Sequence, residues 1–151
     1  MRILSSSLRT TKALAVMLAE EIMRRPPNLS HATVIALQGP LGAGKTAFAG
    51  SFARAFGVRR NLPSPTFVFV RRYPLRRGRY RNLFHVDAYR VRNTTKKFLA
   101  PLGLIDDLGN PRNVFLIEWA EHLKRALPSK AVRITFRHSK HAHERIITFG
   151  K

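Results

Sequence analysis

The sequence predicts an α/β domain: a mixed β-sheet with a parallel core, flanking helices, and an antiparallel hairpin near the end of the chain. Three observations carry this expectation. The apolar run Thr33-Val34-Ile35-Ala36-Leu37 leads into a glycine-rich loop and then into a segment with helical apolar spacing, which is the order of a parallel βα unit. Two further strand-like runs, Leu83–Val86 and Val114–Ile117, each end in an acid, Asp87 and Glu118. Finally, Val132, Ile134 and Phe136 alternate with Arg133, Thr135 and Arg137, and Arg145–Phe149 can return as a hairpin mate.

In chain order, a first helix is expected from Leu8 to Arg25, stopped by Pro26-Pro27, with Leu14, Met17, Leu18 and Ile22 as its buried stripe. Its apolar stretch Ala13–Ala19 is too short to span a bilayer. Glu20 and Glu21 follow it where a signal peptide would carry small cleavage-site residues. After the strand at 33–37 and the glycine loop comes a helix over Ala47–Phe56, with Phe48, Phe52 and Phe56 on one face and Gly57 closing it.

In Leu62-Pro63-Ser64-Pro65-Thr66-Phe67-Val68-Phe69-Val70, two prolines stiffen the approach to an apolar strand. Ser64 and Thr66 offer hydroxyls where a γ-phosphate sensor would sit. A turn is expected from Pro74 to Gly78, a polar helical turn over Leu102–Leu108, and a helix over Ala120–Leu127 whose dipole suits Glu121. His85 reads as a core histidine within its strand. His138, His141 and His143 read as a solvated turn.

A chain of 151 residues has room for one domain, 1–151, with a proper core. It has no cysteine, which excludes disulfides and thiolate metal sites and makes the cytoplasm the expected setting. No membrane association is expected. Against 28 Lys and Arg stand 8 acids, a net charge of +20, and no acid lies between Glu21 and Asp87. Such a field attracts polyanions. Arg71, Arg72, Arg76, Arg77, Arg79 and Arg81 cluster around the Pro74–Gly78 turn with Tyr73 and Tyr80 interleaved. They read either as an RNA-contacting hairpin whose tyrosines stack on bases, with tRNA as a candidate partner, or as a solvated face.

The glycine loop carries the chemistry. Gly39-Pro40-Leu41-Gly42-Ala43-Gly44-Lys45-Thr46 fits G-x-x-x-x-G-K-[ST], the phosphate-binding loop of P-loop nucleoside triphosphatases. Loop amides and the following helix N-terminus suit an anion. Lys45 can reach the β- and γ-phosphates, and the Thr46 hydroxyl can ligate Mg²⁺. Gly39, Leu41, Gly42, Ala43, Gly44, Lys45, Thr46 and Ala47 are therefore the expected ATP cradle.

Acid scarcity narrows the catalytic candidates. Asp87 and Glu118 close their strands where ligands gather in open α/β sheets. Either can serve Mg²⁺ or orient the attacking water, and spacing leaves open which does which. Lys45, Asp87 and Glu118 are the catalytic candidates, and Thr46, Asp87 and Glu118 the candidate metal ligands. The implied chemistry is in-line attack of water on the γ-phosphate. Two other readings share the loop: a small-molecule or nucleoside kinase, and an RNA-binding protein with a nucleotide-sensing site.

Four motifs taken together resemble the TsaE (YjeE) family, P-loop ATPases of bacterial tRNA threonylcarbamoyladenosine biosynthesis. They are Leu41–Thr46, Ser64-Pro65-Thr66-Phe67, Asp87-Ala88-Tyr89-Arg90 and Ile117-Glu118-Trp119-Ala120-Glu121. The resemblance implies ATP, Mg²⁺ and a TsaB–TsaD heterodimer as partner. It also implies that Ser64 and Thr66 line a nucleotide-responsive segment, that Asp87 and Glu118 are essential acids, and that Trp119 lies next to the site. Pro40, Arg72 and Thr94-Thr95-Lys96-Lys97 depart from the family pattern, the last two by losing acids on the expected partner surface.

Overall fold

The β-branched run at 33–37 forms the centre of a seven-stranded sheet. The computed structural model describes residues 1–26, 30–59, 70–91, 100–123 and 126–150. Its strands are β1 (Arg2–Ser5), β2 (Thr33–Gln38), β3 (Val70–Pro74), β4 (Asn82–Asp87), β5 (Asn113–Glu118), β6 (Val132–His138) and β7 (Arg145–Gly150). The sheet runs β1-β7-β6-β2-β5-β4-β3. β6, β2, β5 and β4 are parallel, whereas β3, β7 and β1 join antiparallel at the edges. The mixed sheet with a parallel core is thus as the sequence predicts. β1 was not expected: its four residues are too short and too polar for a periodic signal, and pairing with β7 makes them a strand.

Residues alternate between two apolar faces. Ile35, Leu37, Leu83, Leu116, Ile134 and Phe136 meet α1 (Leu8–Arg24) and α2 (Lys45–Ala55). Val34, Ala36, Phe84, Val86, Phe115 and Ile117 face Leu104, Ala120 and Leu123 on the other side. α1 begins at Ser7, whose hydroxyl accepts from the Thr10 amide at 3.1 Å. Its buried residues are Thr11, Ala15, Ala19 and Ile22. The expected stripe is therefore rotated: Met17 is exposed, and Leu14 and Leu18 only flank the core. Small alanines let α1 lie close against α2, so closeness of approach outweighs side-chain size.

The hairpin at Pro74–Gly78 forms, but its tyrosines do not face solvent. Tyr80 is buried, packed edge-on against Phe56 at 5.7 Å and hydrogen-bonded to Thr33 at 3.3 Å. Tyr73 packs against the same core. Tyr80 cannot stack on bases from within the core, and Tyr73 is half-buried on the same inward side. The helix expected over Ala120–Leu127 is, among the described residues, a 3₁₀ turn, Ala120–Leu123. Ser64, Thr66 and the strand expected over Leu62–Phe69 lie outside the described residues, as do Thr94–Lys97.

Candidate functional site

The glycine loop sits at the carboxyl end of β2, between β5 on one side and β6 on the other. Gly39 has φ +132°, and a Cβ there would collide with the Phe136 carbonyl oxygen of β6. Only glycine passes so close to a neighbouring backbone. Gly42 and Gly44 also adopt positive φ, +72° and +101°. Gly44 starts α2 with no side-chain cap, so no side chain of the N-cap residue occupies the first amides of that helix.

Beside the loop opens a cleft of about 370 Å³, bounded by Leu41, Gly42 and Gly44, by Lys45, Thr46 and Ala47, and by Asp87, Tyr89 and Trp119. A larger groove of about 480 Å³ lies by His31, Leu108 and Lys130 at the opposite end of β2. It is lined by neither an acid nor a loop amide cradle, so the chemistry singles out the smaller cleft.

Lys45 is almost fully buried. Its ammonium donates to the Gly39 and Pro40 carbonyls at 2.6 and 2.7 Å and lies 3.7 Å from the centre of the Trp119 ring. The cation is thus folded back onto the carbonyls that open the loop. Burial lowers its pKa, opposed by the carboxylates of Glu121, Glu118 and Asp87.

Asp87 and Glu118 are register partners on adjacent parallel strands and so stand side by side on the α2 face. Glu118 is buried and fully engaged. Its Oε2 accepts from the Thr46 hydroxyl at 2.8 Å, and its Oε1 accepts from His85 Nε2 at 2.9 Å. Asp87 is half-buried, with Oδ1 accepting from the Tyr89 amide at 2.9 Å. Burial raises its pKa and the neighbouring Glu118 adds to this, while the Tyr89 hydrogen bond and Lys45 work against it.

His85 is indeed a core histidine, with no exposed surface, but its partner is the candidate catalytic acid, which the sequence reading did not foresee. Glu121 was expected only to suit a helix dipole. Instead its Oε1 accepts from the Gly39 amide at 3.2 Å. Trp119 explains the difference. Its φ of +58° makes it, among the described residues, the one non-glycine in the left-handed region. The β2–β5 register sets Glu118 beside Leu37 and so at the end of the loop, and the kink that ends β5 turns Glu121 back to the start of the loop. A short acid–aromatic–small–acid spacing after a buried strand was the available signal.

His138, read as part of a solvated turn, donates through Nε2 to the Leu41 carbonyl at 3.1 Å and props the loop from β6. His141 and His143 are exposed. Among the described residues no three His, Asp or Glu gather as a metal site of their own. A divalent cation at Thr46 would therefore share its coordination with water and a ligand's phosphates, as Mg²⁺ does. The donor set of hydroxyl and two carboxylates fits that ion, and the uncapped helix with its buried cation fits a polyphosphate. No described helix is long and apolar enough to cross a membrane.

A family model described as "Threonylcarbamoyl adenosine biosynthesis protein TsaE" matches residues 5–147. The tRNA threonylcarbamoyladenosine biosynthesis protein TsaE of Bacillus subtilis is 35% identical over 116 residues, covering 77% of this chain and 68% of that protein. The protein of the same description from Mycobacterium tuberculosis H37Rv is 35% identical over 119 residues, covering 78% and 71%. Among solved structures, the crystal structure of Bacillus subtilis YdiB is similar with a TM-score of 0.71 and 27% identity, over 99% of this chain and 83% of that one.

Proposed function

The chain belongs to the TsaE family of tRNA threonylcarbamoyladenosine biosynthesis proteins, and we propose that it is the ATP-hydrolysing component of that machinery, using Mg²⁺ and acting with a TsaB–TsaD heterodimer. The observation that carries this reading is the Thr46–Glu118 hydrogen bond, which joins the last residue of the phosphate loop to the acid closing the next strand.

On this reading the loop amides from Leu41 to Lys45 and the start of α2 bind the phosphates. Lys45 leaves the Gly39 and Pro40 carbonyls and turns its charge onto the β- and γ-phosphates. Mg²⁺, when bound, neutralises phosphate charge and orients the transferred group. Thr46 and Glu118 would hold it, because Glu118 is already fixed against the Thr46 hydroxyl. Asp87, held by the Tyr89 amide on the cleft wall, would then orient the attacking water and take its proton. The Trp119 and Tyr89 rings, 4.9 Å apart, narrow the cleft and limit access of bulk water. Ser64 and Thr66 would line the nucleotide-responsive segment.

No arginine lines the described cleft. Among the described side chains lining the cleft, charge developing on the γ-phosphoryl oxygens is therefore answered by Lys45, while Arg145 reaches the loop only at the Gly42 carbonyl, at 3.4 Å, and turnover by the isolated chain is slow. ATP hydrolysis measured alone, with TsaB–TsaD from the same source, and with Glu118→Ala tests the proposal. Weak hydrolysis that rises with the heterodimer and vanishes in the variant is expected. Turnover indifferent to both changes would overturn it.

A further inference from the structure

At the other end of the sheet, charge is concentrated on a rigid tip. Leu75 to Arg81 join β3 to β4, closed by a Leu75 amide bond to the Arg81 carbonyl at 2.8 Å. Leu75 and Tyr80 are both buried, so the tip is rooted at two points in the core. Gly78, with φ +84°, makes the turn between them. This leaves Arg76, Arg77 and Arg79 exposed, with exposed Arg71 and Arg81 on either side.

The Arg81 amide donates to the Arg112 carbonyl at 2.7 Å, which brings a further exposed arginine beside the tip. No acid lies between Glu21 and Asp87 in the sequence. Among the described residues the two Arg–carboxylate pairs are Arg24–Glu20 and Arg25–Glu21, both at the end of α1. The tip thus presents an array of exposed guanidinium groups that form no ion pair among the described residues, although Asp107 bonds to Asn113, the neighbour of Arg112.

We infer that the Arg76–Arg77–Arg79 tip with Arg81 and Arg112 is a docking surface for the phosphodiester backbone of structured RNA. The inference rests on the chain's place in tRNA modification but not on nucleotide hydrolysis. Every basic residue of the tip is arginine, whose planar fork matches phosphate oxygens two at a time. No apolar side chain projects from the tip, since Leu75 and Tyr80 point inward, which disfavours insertion into a lipid surface. With Tyr80 buried and Tyr73 packed against the core, the tip offers little surface for base stacking, and recognition acts through backbone phosphates and shape. Arg81 and Arg112 precede β4 and β5, whereas the nucleotide cleft lies at those strands' carboxyl ends. RNA and nucleotide would therefore occupy opposite ends of the parallel core.

The test is binding of the full chain to a labelled, unmodified tRNA transcript by fluorescence anisotropy, titrated against salt. Affinity is expected to fall steeply with salt, and Arg76→Ala/Arg77→Ala/Arg79→Ala to reduce the log–log slope by about 2–3. The control Arg2→Ala/Arg9→Ala/Lys12→Ala removes equal charge from β1, at the other edge of the sheet, and from the start of α1. It is expected to change the slope by less than half as much. Equal losses in the two variants, or none in the first, would overturn the inference. So would equally tight, equally arginine-dependent binding to vesicles of phosphatidylserine. Lys45→Ala is expected to leave RNA binding unchanged, so failure of the hydrolysis reading is distinguishable from failure of this one.

Discussion

The buried imidazole of His85 donates through Nε2 to Glu118 Oε1 at 2.9 Å, orienting the carboxylate whose other oxygen holds Thr46. Both side chains are withdrawn from water, at 0% and 2% exposure. The carboxylate can only accept, so Nε2 carries the hydrogen, and His85 Nδ1 is left buried without a partner. A buried polar atom left unsatisfied has a cost, which the fold tolerates where the ring positions Glu118.

Removing that donor is expected to slow hydrolysis without a matching loss of nucleotide affinity. If Glu118 holds Mg²⁺ as proposed, His85→Leu should lower kcat about 10–100-fold, the usual effect of losing a group that orients a metal ligand, with KM for ATP changed much less. His85→Gln, which keeps a donor, should recover a large part. Equal loss of kcat and of thermal stability in both variants would mean that His85 only fills space.

Glu121 should matter to the loop before it matters to chemistry. Glu121→Ala leaves the Gly39 amide without its carboxylate partner, a loss of about 1–3 kcal/mol where the amide stays dry. Denaturant unfolding is expected to report that loss, and ATP affinity to fall with it. A variant as stable as the parent would show that water replaces the carboxylate.

Gly39 is expected to tolerate no side chain. Its φ of +132° and the nearby Phe136 carbonyl combine backbone strain with a collision. Strain of this kind alone is worth of order 1–3 kcal/mol. Gly39→Ala should unfold at markedly lower denaturant, while Gly50→Ala, where a Cβ meets nothing within 4 Å, should not.

Asp87 links stability to pH in the sense opposite to a salt-bridged acid. Its folded pKa is raised, chiefly by burial, so ionisation is harder in the folded state than in the unfolded one. Stability from this group is fully present below the unfolded carboxylate pKa and is lost as pH rises through the raised folded value. Asp87→Asn should therefore raise the melting temperature at neutral pH and abolish most turnover. The stability gain should vanish in acid. A gain that persisted at low pH would contradict this origin.

Much of the architecture was legible because it is local. Thr33–Leu37, the glycine loop and the Phe48–Phe52–Phe56 face announce one strand–loop–helix unit by period and punctuation. Asp87 and Glu118 were identifiable as acids ending apolar runs. What the sequence hid depends on tertiary contact. β1 exists only by pairing with β7. The direction of Tyr73 and Tyr80 follows from their packing against the α2-side core rather than from alternation with arginines. Glu121 and His85 reach the site through the Trp119 kink and the β4–β5 register, which no spacing rule reports. His138 reaches the loop because β6 lies beside β2.

The most direct measurement uses Trp119, the chain's one tryptophan, whose ring lies 3.7 Å from the Lys45 ammonium. Its emission should be titrated with ATP, with and without Mg²⁺, in the parent chain and in Lys45→Ala. On the proposed function ATP would draw Lys45 off the ring, so a saturable change that tightens with Mg²⁺ and is largely lost in the variant is expected. An emission unmoved by ATP, or moved equally in Lys45→Ala, would contradict the assignment of this cleft to a nucleoside triphosphate.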